Sequence, residues 1–514
     1  MQKLLLLFLV TLSISISSCR KDFEFETSTG GLEFSKDTVY LDTVFSNIGS
    51  STYRLKVYNK SNNDIVIPKI QLRNGVDSKY RIMVDGMTGD SGAQGKIFSN
   101  VELLAKDSLF IFIEVTSDVA SANPSDFLYT DNIDFYNASG TPQDVDLVTL
   151  IQDAYFLYPK KFSDGTTETL PIGEEEIYGF YLDHNDPSNG DEYVRNNTKP
   201  YVIYGYAAVP NGETLTVQKG ARVHFHDASG LIVGNNATLK IQGEASTSAA
   251  LENQVIFEGD RLEPDFSDTP GQWGTIWLTS GSKNHDINHL TIKNAVVGLL
   301  IENNNPSQAI SIKNTQIYNS SNIGIYAKTA SIKGENVVVN YGGQAALACT
   351  IGGSYEFTHC TFNNNWPSSK QVAVLVNNYY IDPNNVQIPI KLEKAVFTNC
   401  IIFGNNQNEL AISKNTNAAF WTTPVFTRCQ IKCNNTNNSL STNTDYDFLN
   451  DATNIIKNGN PNFWNIESNK LNIGASSSAK GFGITTSVTQ DLVGTARIAP
   501  GIDLGAYQHI VFPN

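Results

Sequence analysis

The sequence predicts an all-β protein in which a β-sandwich is followed by a β-solenoid. Only 17% of the 514 residues are charged, and turn-forming Asn, Ser, Thr and Gly fill the shortfall. Short apolar runs alternate with such turns along the chain, and in the second half similar runs recur at a regular spacing. These features are typical of a long chain of short strands.

The N-terminus has the pattern of an export signal. Lys3 precedes an apolar stretch that ends near Ile16, and Ser17 and Ser18 lead to Cys19. The stretch Ile-Ser-Ser-Cys resembles the bacterial lipobox, in which the cysteine is lipidated and becomes the mature N-terminus. An ordinary signal peptide with a chance cysteine is the alternative. We expect residues 1–18 to be a lipoprotein signal peptide, Cys19 to be the lipidation site, and residues 19–30 to be a polar tether.

Residues 31–156 are predicted to form an immunoglobulin-like β-sandwich. The evidence is about seven short strand-like runs separated by turns, at 38–45, 53–58, 64–67, 80–84, 108–115, 132–135 and 144–148. Apolar and polar residues alternate in "YRLKVY" (53–58), as in a strand with one buried and one solvated face. No catalytic grouping stands out in this region, which favours a spacer or a binding module.

Residues 157–205 are interpreted as a linker between the two domains. Its loop 183–192, "DHNDPSNGDE", is rich in oxygen ligands of the kind that hold Ca²⁺. The loop departs from the EF-hand pattern, and Asp, Asn and Gly clusters are also ordinary turn chemistry. No cofactor is therefore expected, with Ca²⁺ as the one alternative.

Residues 206–475 are predicted to form the solenoid. Three segments share the pattern Phe-Thr-x-Cys, at 357–360, 397–400 and 426–429. The apolar residues two places after each cysteine have equivalents upstream, which gives the inward-facing series Ile292, Ile317, Val338, Phe362, Ile402 and Ile431. The steps of 25, 21, 24, 40 and 29 residues are typical of a solenoid with one insertion, near 377–390.

The cysteines belong to this repeat. Residues i and i+2 of a strand share a face, so Cys360, Cys400 and Cys429 are expected to point into the core, where a free cysteine packs as a small apolar residue. An odd number of cysteines after Cys19 argues against a complete disulfide framework, although a local Cys429–Cys433 bridge or metal pair is an alternative. Two places after the anchors lie Asn294, Asn319, Asn340, Asn364, Gly404 and Cys433, where Asn and Gly suit left-handed turns.

The second half resembles the right-handed parallel β-helix of the pectin-lyase-like superfamily. The likeness rests on the "FTxC" segments, on "QWGTIWL" (272–278) and on "DLVGTARIAPGIDLGAYQ" (491–508), which is similar to the ending of many secreted bacterial β-helix proteins. Residues 476–514 are accordingly expected to be a C-terminal cap, with Asp491, Arg497 and Asp503 forming an ion-pair cap over the last coil. The whole arrangement is similar to surface lipoproteins of Gram-negative bacteria, which implies an outer-membrane, cell-surface location and a monomer.

Charge and acidic-residue content limit the function. A net charge of −15 and a pI near 4.9 argue against nucleic acid as a partner. Between residues 287 and 444 the chain has a single aspartate, Asp382, and glycoside hydrolysis needs paired carboxylates. Lyase chemistry uses a Lys or Arg base and is harder to recognise in a sequence, so a lyase remains an alternative.

The densest group of functional residues lies at 259–277. The predicted ligand-binding residues are Asp260, Arg261, Glu263, Asp265, Asp268, Trp273 and Trp277. Aromatic rings with polar neighbours suit sugars. The alternative is a solvated loop beside tryptophans that pack between coils.

Two histidine pairs are weaker candidates for a metal site. His224 and His226 are expected to lie exposed on one strand face, where Asp227 would be the third ligand. His285 and His289 form the second pair. No third histidine is close in either case, so exposed histidines are the preferred interpretation.

The leading functional hypothesis is non-catalytic: surface display and binding of a glycan or partner along the long face of the solenoid. The competing hypothesis is a polysaccharide-degrading enzyme, a lyase rather than a hydrolase, with its site beside the 259–277 or 377–390 loop. No catalytic residue is assigned for it.

Overall fold

The computed structural model describes residues 24–123, 127–248, 250–303, 308–434 and 443–513. The predicted signal peptide and Cys19 lie outside these residues. The chain divides into two compact units, with the boundary between Gln152 and Asp153. Among the described residues, no helix is both long enough and apolar enough to cross a bilayer. The helices described are short 3₁₀ turns at Gly75–Asp77, Val119–Ser121, Pro264–Phe266, Ala418–Phe420 and Thr444–Asn450.

The first unit consists of two sheets. The six-stranded sheet contains β1 (Phe25–Thr27), β3 (Thr38–Phe45), β5 (Asp64–Leu72), β7 (Ile97–Leu103), β9 (Leu128–Tyr136) and β10 (Pro142–Gln152). The four-stranded sheet contains β2 (Glu33–Phe34), β4 (Tyr53–Tyr58), β6 (Tyr80–Val84) and β8 (Ser108–Val115), in the order β2-β4-β8-β6. Inward side chains of both sheets form one core, for example Leu55 and Ile111 from one and Val39 and Ile133 from the other.

All seven strands expected in this unit are present, and β4 (Tyr53–Tyr58) has the predicted alternation of more and less buried residues. The structure adds β7, whose sequence "IFSNVEL" alternates poorly. It also adds the short β2 and β1. Strand β1 pairs in parallel with β5, so residues 25–27 of the expected tether belong to a sheet.

The second unit is a solenoid of three parallel sheets. Sheet 1 contains β11 (Tyr155–Leu157), β15 (Tyr201–Ile203), β18 (Arg222–Phe225), β21 (Val255–Gly259), β24 (Leu290–Lys293), β27 (Gln316–Ser320), β30 (Val338–Gly342), β33 (Thr361–Asn364), β38 (Ile401–Gly404), β41 (Cys429–Ile431) and β42 (Ile455–Lys457). Sheet 2 contains β12 (Thr169–Ile172), β13 (Glu175–Tyr181), β16 (Tyr206–Val209), β19 (Gly230–Val233), β22 (Trp273–Leu278), β25 (Ala295–Glu302), β28 (Ile323–Lys328), β31 (Ala345–Thr350), β34 (Val372–Asn377) and β39 (Leu410–Ser413). Within sheet 2, only β12 and β13 form an antiparallel pair.

Sheet 3 contains β14 (Val194–Arg195), β17 (Thr214–Gln218), β20 (Thr238–Gln242), β23 (Asp286–Asn288), β26 (Ile310–Lys313), β29 (Ser331–Glu335), β32 (Gly353–Thr358), β37 (Leu392–Thr398) and β40 (Val425–Thr427). Two hairpins lie outside the three sheets: β35 (Tyr379–Ile381) with β36 (Gln387–Pro389), and β43 (Phe463–Asn465) with β44 (Lys470–Ile473). Successive turns of the chain, which we call coils, contribute one strand to each sheet. The apolar core lies between the three sheets.

The solenoid begins earlier than the sequence suggested. Strands β11 to β15 fall within or next to residues 157–205, which were interpreted as a linker, and they pair with the coils that follow. Short runs such as "YFL" and "VR" are too brief for a periodicity to be recognised in the sequence. The first unit accordingly ends at residue 152 rather than 156.

The register confirms the inward series of sheet 1 at every anchor except one. Ile292 pairs with Ile317, and Phe362 pairs with Ile402, which pairs with Ile431. Between them the paired residue is Val339, and Val338 faces outward. Because "VVV" is apolar at every position, the sequence could not distinguish its inward from its outward residues.

The residue with left-handed backbone that recurs from coil to coil does not lie two places after the anchor residues, where it was predicted. Asn294 and Asn319 do have φ values of 64° and 57°. Left-handed backbone instead recurs in six successive coils at the residue just before the inward Cys position, between sheets 3 and 1. These residues are His289, Asn314, Asn336, His359, Asn399 and Arg428, with φ of 48° to 56°. The variable residue of "FTxC" is therefore the corner itself, and Asn fills it in half of these coils because Asn tolerates this backbone best among non-glycine residues.

The cysteines are core residues. Cys349, Cys360, Cys400, Cys429 and Cys433 are free thiols with no exposed surface. The alternative of a Cys429–Cys433 disulfide is therefore wrong. Burial raises the pKa of the Cys349 thiol well above its usual value, which further suppresses the reactive thiolate.

We expect these five thiols to be unreactive in the folded protein. A thiol-specific reagent at pH 8 should modify none of them in the native state and all five after unfolding in guanidinium without reductant. Modification is counted by intact-mass spectrometry, with Cys19 scored separately. Native modification of any of the five, or fewer than five after unfolding, would contradict the buried free thiols.

The C-terminal segment, residues 460–510, lies back along the outside of sheet 1 rather than over the last coil. Its residues Leu471, Leu492, Ala506 and Tyr507 pack on Tyr318 and Val338. Its backbone is also tied to successive coils: Gly505 N–H donates to Asn399 O (2.8 Å) and Ala506 N–H to Thr361 Oγ1 (3.0 Å). This position explains why outward residues of sheet 1, such as Val338 and Ile401, are apolar.

Arg497 fastens this segment. It is 8% exposed, and its guanidinium donates to Asn336 Oδ1, Gly505 O and Gln508 Oε1 at 3.0 to 3.1 Å. Asp503 accepts from Gly481 N–H, His509 N–H and His509 Nδ1. Arg497 thus donates to amide and carbonyl oxygens, not to carboxylates as the predicted ion-pair cap requires, although Asp491 and Asp503 lie near enough to act on its charge.

Candidate functional site

The outer faces of the three sheets differ in character. The face of sheet 1 is covered by the C-terminal segment over β27 to β41. The face of sheet 3 is charged. Directly paired residues form one row across it, and four of the six are charged: Lys240, Asp286, Ser311, Lys333, Glu356 and Val396. The face of sheet 2 carries almost no charge, and among the described residues most of its outward side chains from β22 onward are partly exposed, so it is the candidate for recognition.

A row of apolar residues crosses the face of sheet 2, one from each strand from β22 to β39. Direct pairing links them in the order Trp277, Leu300, Tyr326, Ala348, Leu375 and Ala411, which we call the aromatic row. All are partly exposed except Ala348, which Tyr326 and Leu375 flank. Because paired strands lie about 4.8 Å apart, the two aromatic positions are separated by about 10 Å.

An ion pair lies beside the aromatic row. Lys328 Nζ is 2.8 Å from Glu302 Oε1, and Trp277 Nε1 donates to Glu302 Oε2 at 3.0 Å. Lys328 Nζ also lies 5.6 Å from the centroid of the Tyr326 ring, within cation–π distance. Glu302 thus neutralises the lysine and fixes the tryptophan ring on the open face.

A hairpin closes one end of the aromatic row. Leu170 of β12 packs on Ala208 and Ile232, the row positions that precede Trp277. Ile172 and Ile177 of the same hairpin pack against this cluster beside Trp277. The accessible part of the row therefore starts at Trp277.

The two tryptophans predicted to bind ligand lie on opposite sides of β22. Trp277 faces outward, as described. Trp273 is fully buried, stacks on Phe225 with ring centroids 4.3 Å apart, and donates from Nε1 to Lys293 O. The residues differ by an even number of positions, but a register shift between Thr275 and Ile276 places them on opposite faces.

The charged residues of the predicted patch are spread along the following loop. Arg261 is held by Glu263 through two hydrogen bonds of 3.1 and 3.2 Å, and Glu263 is buried. Asp268 is exposed and accepts from Asn319 Nδ2, while Asp265 is exposed in a short 3₁₀ turn. Asp260 directly follows β21. Asp268 thus contacts Asn319 of β27 and Asp260 contacts His226, whereas Trp277 contacts Glu302.

Asp260 belongs to a cluster with His226 and Tyr204, which follow sheet 1 in adjacent coils. Asp260 Oδ2 lies 2.7 Å from His226 Nδ1, and the Asp260 side chain is only 5% exposed. The His226 and Tyr204 rings are 4.4 Å apart. The hydrogen bond to Asp260 raises the pKa of His226, and burial, with Asp260 nearby, raises the pKa of Tyr204 to about 12.

The histidine pairs do not have the exposed arrangement that was predicted. His224 is buried on the outer side of β18 and contacts Gly259 O through Nδ1, and His285 is buried beside Leu239 N–H. In loop 183–192 the carboxylates of Asp183 and Asp186 accept backbone N–H groups within the loop. Across the ranges that the structure describes, no three His, Cys, Asp or Glu residues are grouped to hold a metal ion.

Glu409 is a buried acid next to sheet 2. Oε1 accepts from Asn406 N–H (2.6 Å) and Gln371 Nε2 (3.3 Å), while Oε2 has no hydrogen-bond partner. Burial raises its pKa from 4.5 to about 7, because the charged form loses its hydration. Near pH 7 Glu409 is therefore partly protonated in the folded state, whereas in the unfolded chain it is ionised.

This predicts a pH-dependent effect of Glu409→Gln on stability. Because its pKa is raised in the folded state, the contribution of Glu409 to wild-type stability is fully present below pH 4.5 and is lost as the pH rises through about 7. The variant should equal wild type near pH 4.5 and exceed it by about 3 kcal/mol above pH 8, measured by urea unfolding. Exposed Glu467→Gln is the control. An advantage that does not grow with pH would contradict the assignment.

Sequence reasoning found Trp277 but missed its partners. Leu300, Glu302, Tyr326 and Lys328 lie 23 to 51 residues away and become neighbours only through strand pairing. The available signal was the near absence of charge from the sheet 2 strands. From β22 to β39, their sequences contain two charged residues, Glu302 and Lys328.

Comparison with known proteins adds no functional assignment. No family model and no curated protein matches the chain. Among solved structures, the periplasmic chaperone SfaE is 14% identical (24% of this chain, 58% of that chain, TM-score 0.16), and the E. coli chaperone DraB is 12% identical (30% and 80%, TM-score 0.16). A Bacteroides ovatus GH5 xyloglucanase is 9% identical (56% and 66%, TM-score 0.12). The chain thus spans 58% of SfaE, and TM-scores this low support no inference about fold or function.

Proposed function

We propose that this protein is a lipid-anchored surface protein that binds an extended glycan on the open face of sheet 2. In this proposal Cys19 carries the lipid, the first unit is an immunoglobulin-like spacer, and the solenoid is a right-handed parallel β-helix of the pectin-lyase-like type that carries the binding face. A single chain attached to the outer membrane would hold polysaccharide at the cell surface.

The aromatic row is the observation that carries the proposal. Sugar rings bind proteins through their apolar faces, which stack on aromatic side chains, and through hydroxyls that bond to adjacent polar groups. Trp277 and Tyr326 supply the rings, and Glu302 and Lys328 supply polar groups beside them. The row continues in direct register over six adjacent strands, which suits an extended chain better than a small molecule enclosed in a pocket.

The test is binding of the purified mature chain to a panel of neutral and acidic polysaccharides, by glycan array and affinity electrophoresis. Retention by at least one polysaccharide, reversed by its free oligosaccharides, is expected. Failure to bind any glycan in the panel would contradict the proposal.

A polysaccharide lyase is the second candidate, and the Asp260–His226–Tyr204 cluster favours it. Asp260 fixes Nδ1 of His226 and leaves Nε2 directed away from the pair, as in a general base oriented by a carboxylate. In a β-elimination, Nε2 would take the proton on the carbon next to a uronate carboxylate. The C–O bond to the leaving sugar would break as the double bond forms, and Tyr204 Oη would protonate the leaving oxygen.

This alternative makes a separate prediction. An active lyase releases unsaturated products that absorb ultraviolet light, and His226→Ala should abolish them while leaving glycan retention on sheet 2 intact. No absorbance increase with any uronic-acid polysaccharide, with or without added Ca²⁺, would reject the lyase and leave the binding proposal standing.

A further inference from the structure

We propose that the face of sheet 2 selects a neutral, linear glycan that lies along the solenoid axis and occupies the row with about six sugar residues. The inference rests on the glycan binding proposed above and adds the charge class and the length of the ligand.

The absence of net charge on the face of sheet 2 indicates that the ligand is neutral. From β22 to β39 the six strands contain two charged residues, Glu302 and Lys328, and these neutralise each other at 2.8 Å. No cation on these strands is therefore left to attract a uronate or sulfate group. The chain as a whole carries a net charge of −15, which repels polyanions at low ionic strength.

The direction of the ligand follows from the aromatic row. Its six residues lie in direct register on six adjacent strands, so the row runs perpendicular to the strands and along the solenoid axis. Each step is about 4.8 Å. A sugar residue of an extended glycan advances by a similar distance, so successive sugars can meet successive strands. Trp277 and Tyr326, two strands apart, then stack on alternate sugars.

The length of the row defines the length of the ligand. The β12–β13 hairpin covers the positions before Trp277, and the row ends at Ala411 of β39. Five strand spacings separate Trp277 from Ala411, or about 24 Å. A longer glycan continues beyond β39 but gains no further contacts in the row.

The test uses neutral xylo-, gluco- and manno-oligosaccharides of two to eight residues and acidic oligomers of galacturonate and mannuronate of the same lengths. Calorimetry with the mature chain at low salt should give affinities for one neutral series that rise to about six residues and then level off. Tighter binding of an acidic series, or affinity independent of length, would overturn this inference. Binding to none of the series would count against glycan binding itself.

The variant Glu302→Gln tests the effect of charge on the binding face without changing the shape of that face. Glutamine keeps an oxygen for Trp277 Nε1 but leaves the Lys328 ammonium unneutralised. The ratio of acidic to neutral affinity should rise severalfold at low salt and return toward the wild-type ratio at high salt. An unchanged ratio would overturn the inference. Glu356→Gln, which removes a carboxylate from the face of sheet 3, is the matched control.

Discussion

Replacement of Trp277 or Tyr326 by leucine is expected to weaken glycan binding about tenfold each, and the double replacement about a hundredfold. Leucine keeps the apolar contacts with the neighbouring strands but removes the flat ring on which a sugar stacks. The two rings are about 10 Å apart and contact different sugars, so their effects should add. Affinity is measured by calorimetry with the tightest oligosaccharide of the panel.

The control for these variants is Tyr158→Leu, an exposed tyrosine that lies outside the aromatic row. It should bind like wild type. Thermal unfolding of all four proteins shows whether the fold is retained. If both row variants keep their melting temperature and bind as tightly as wild type, the glycan does not bind on sheet 2.

Arg497→Met is expected to lower the unfolding free energy by about 3 to 5 kcal/mol, the largest single effect on stability that we predict. Methionine fills similar space but donates no hydrogen bond. Asn336 Oδ1 and Gly505 O then lose a donor in the interior, and buried Asp491 and Asp503 lose the nearby cation. Urea unfolding measures the loss.

The same variant should loosen the C-terminal segment before the solenoid unfolds. Hydrogen exchange is expected to increase in residues 460–510 and in the covered strands β27, β30 and β33, and to stay unchanged in sheet 3. Lys480→Met replaces an exposed cation of the same segment and should change stability by less than about 0.5 kcal/mol. Equal stability of the two variants would contradict the fastening role of Arg497.

The fold could be predicted from the sequence where the same residue type recurs at the same position of successive coils. The "FTxC" segments placed Cys360, Cys400 and Cys429 in the core and set the coil length, because the same inward position repeats in each coil. The sequence was not informative where neighbouring residues are chemically alike or a strand is very short. Val338 and Val339 are chemically alike, and the early strands "YFL" and "VR" are too short to show a period.

The site was less accessible to sequence reasoning than the fold. Trp277 was recognisable as an aromatic residue near polar ones, but Trp273 looked equivalent until the register shift in β22 placed it in the core. Glu302, Tyr326 and Lys328 stand among apolar residues with no local motif. These residues form a site only because their strands are neighbours in sheet 2. That arrangement follows from the register of the coils and not from any local sequence pattern.

The most direct test of the account is hydroxyl-radical footprinting of the mature chain with and without a saturating neutral oligosaccharide. Oxidation of Trp277 and Tyr326 should fall on binding, while exposed Tyr158 and partly exposed His226 should be modified as before. Protection of His226 and Tyr204 instead, or no protection of Trp277 and Tyr326 by a ligand that binds, would contradict a binding face on sheet 2.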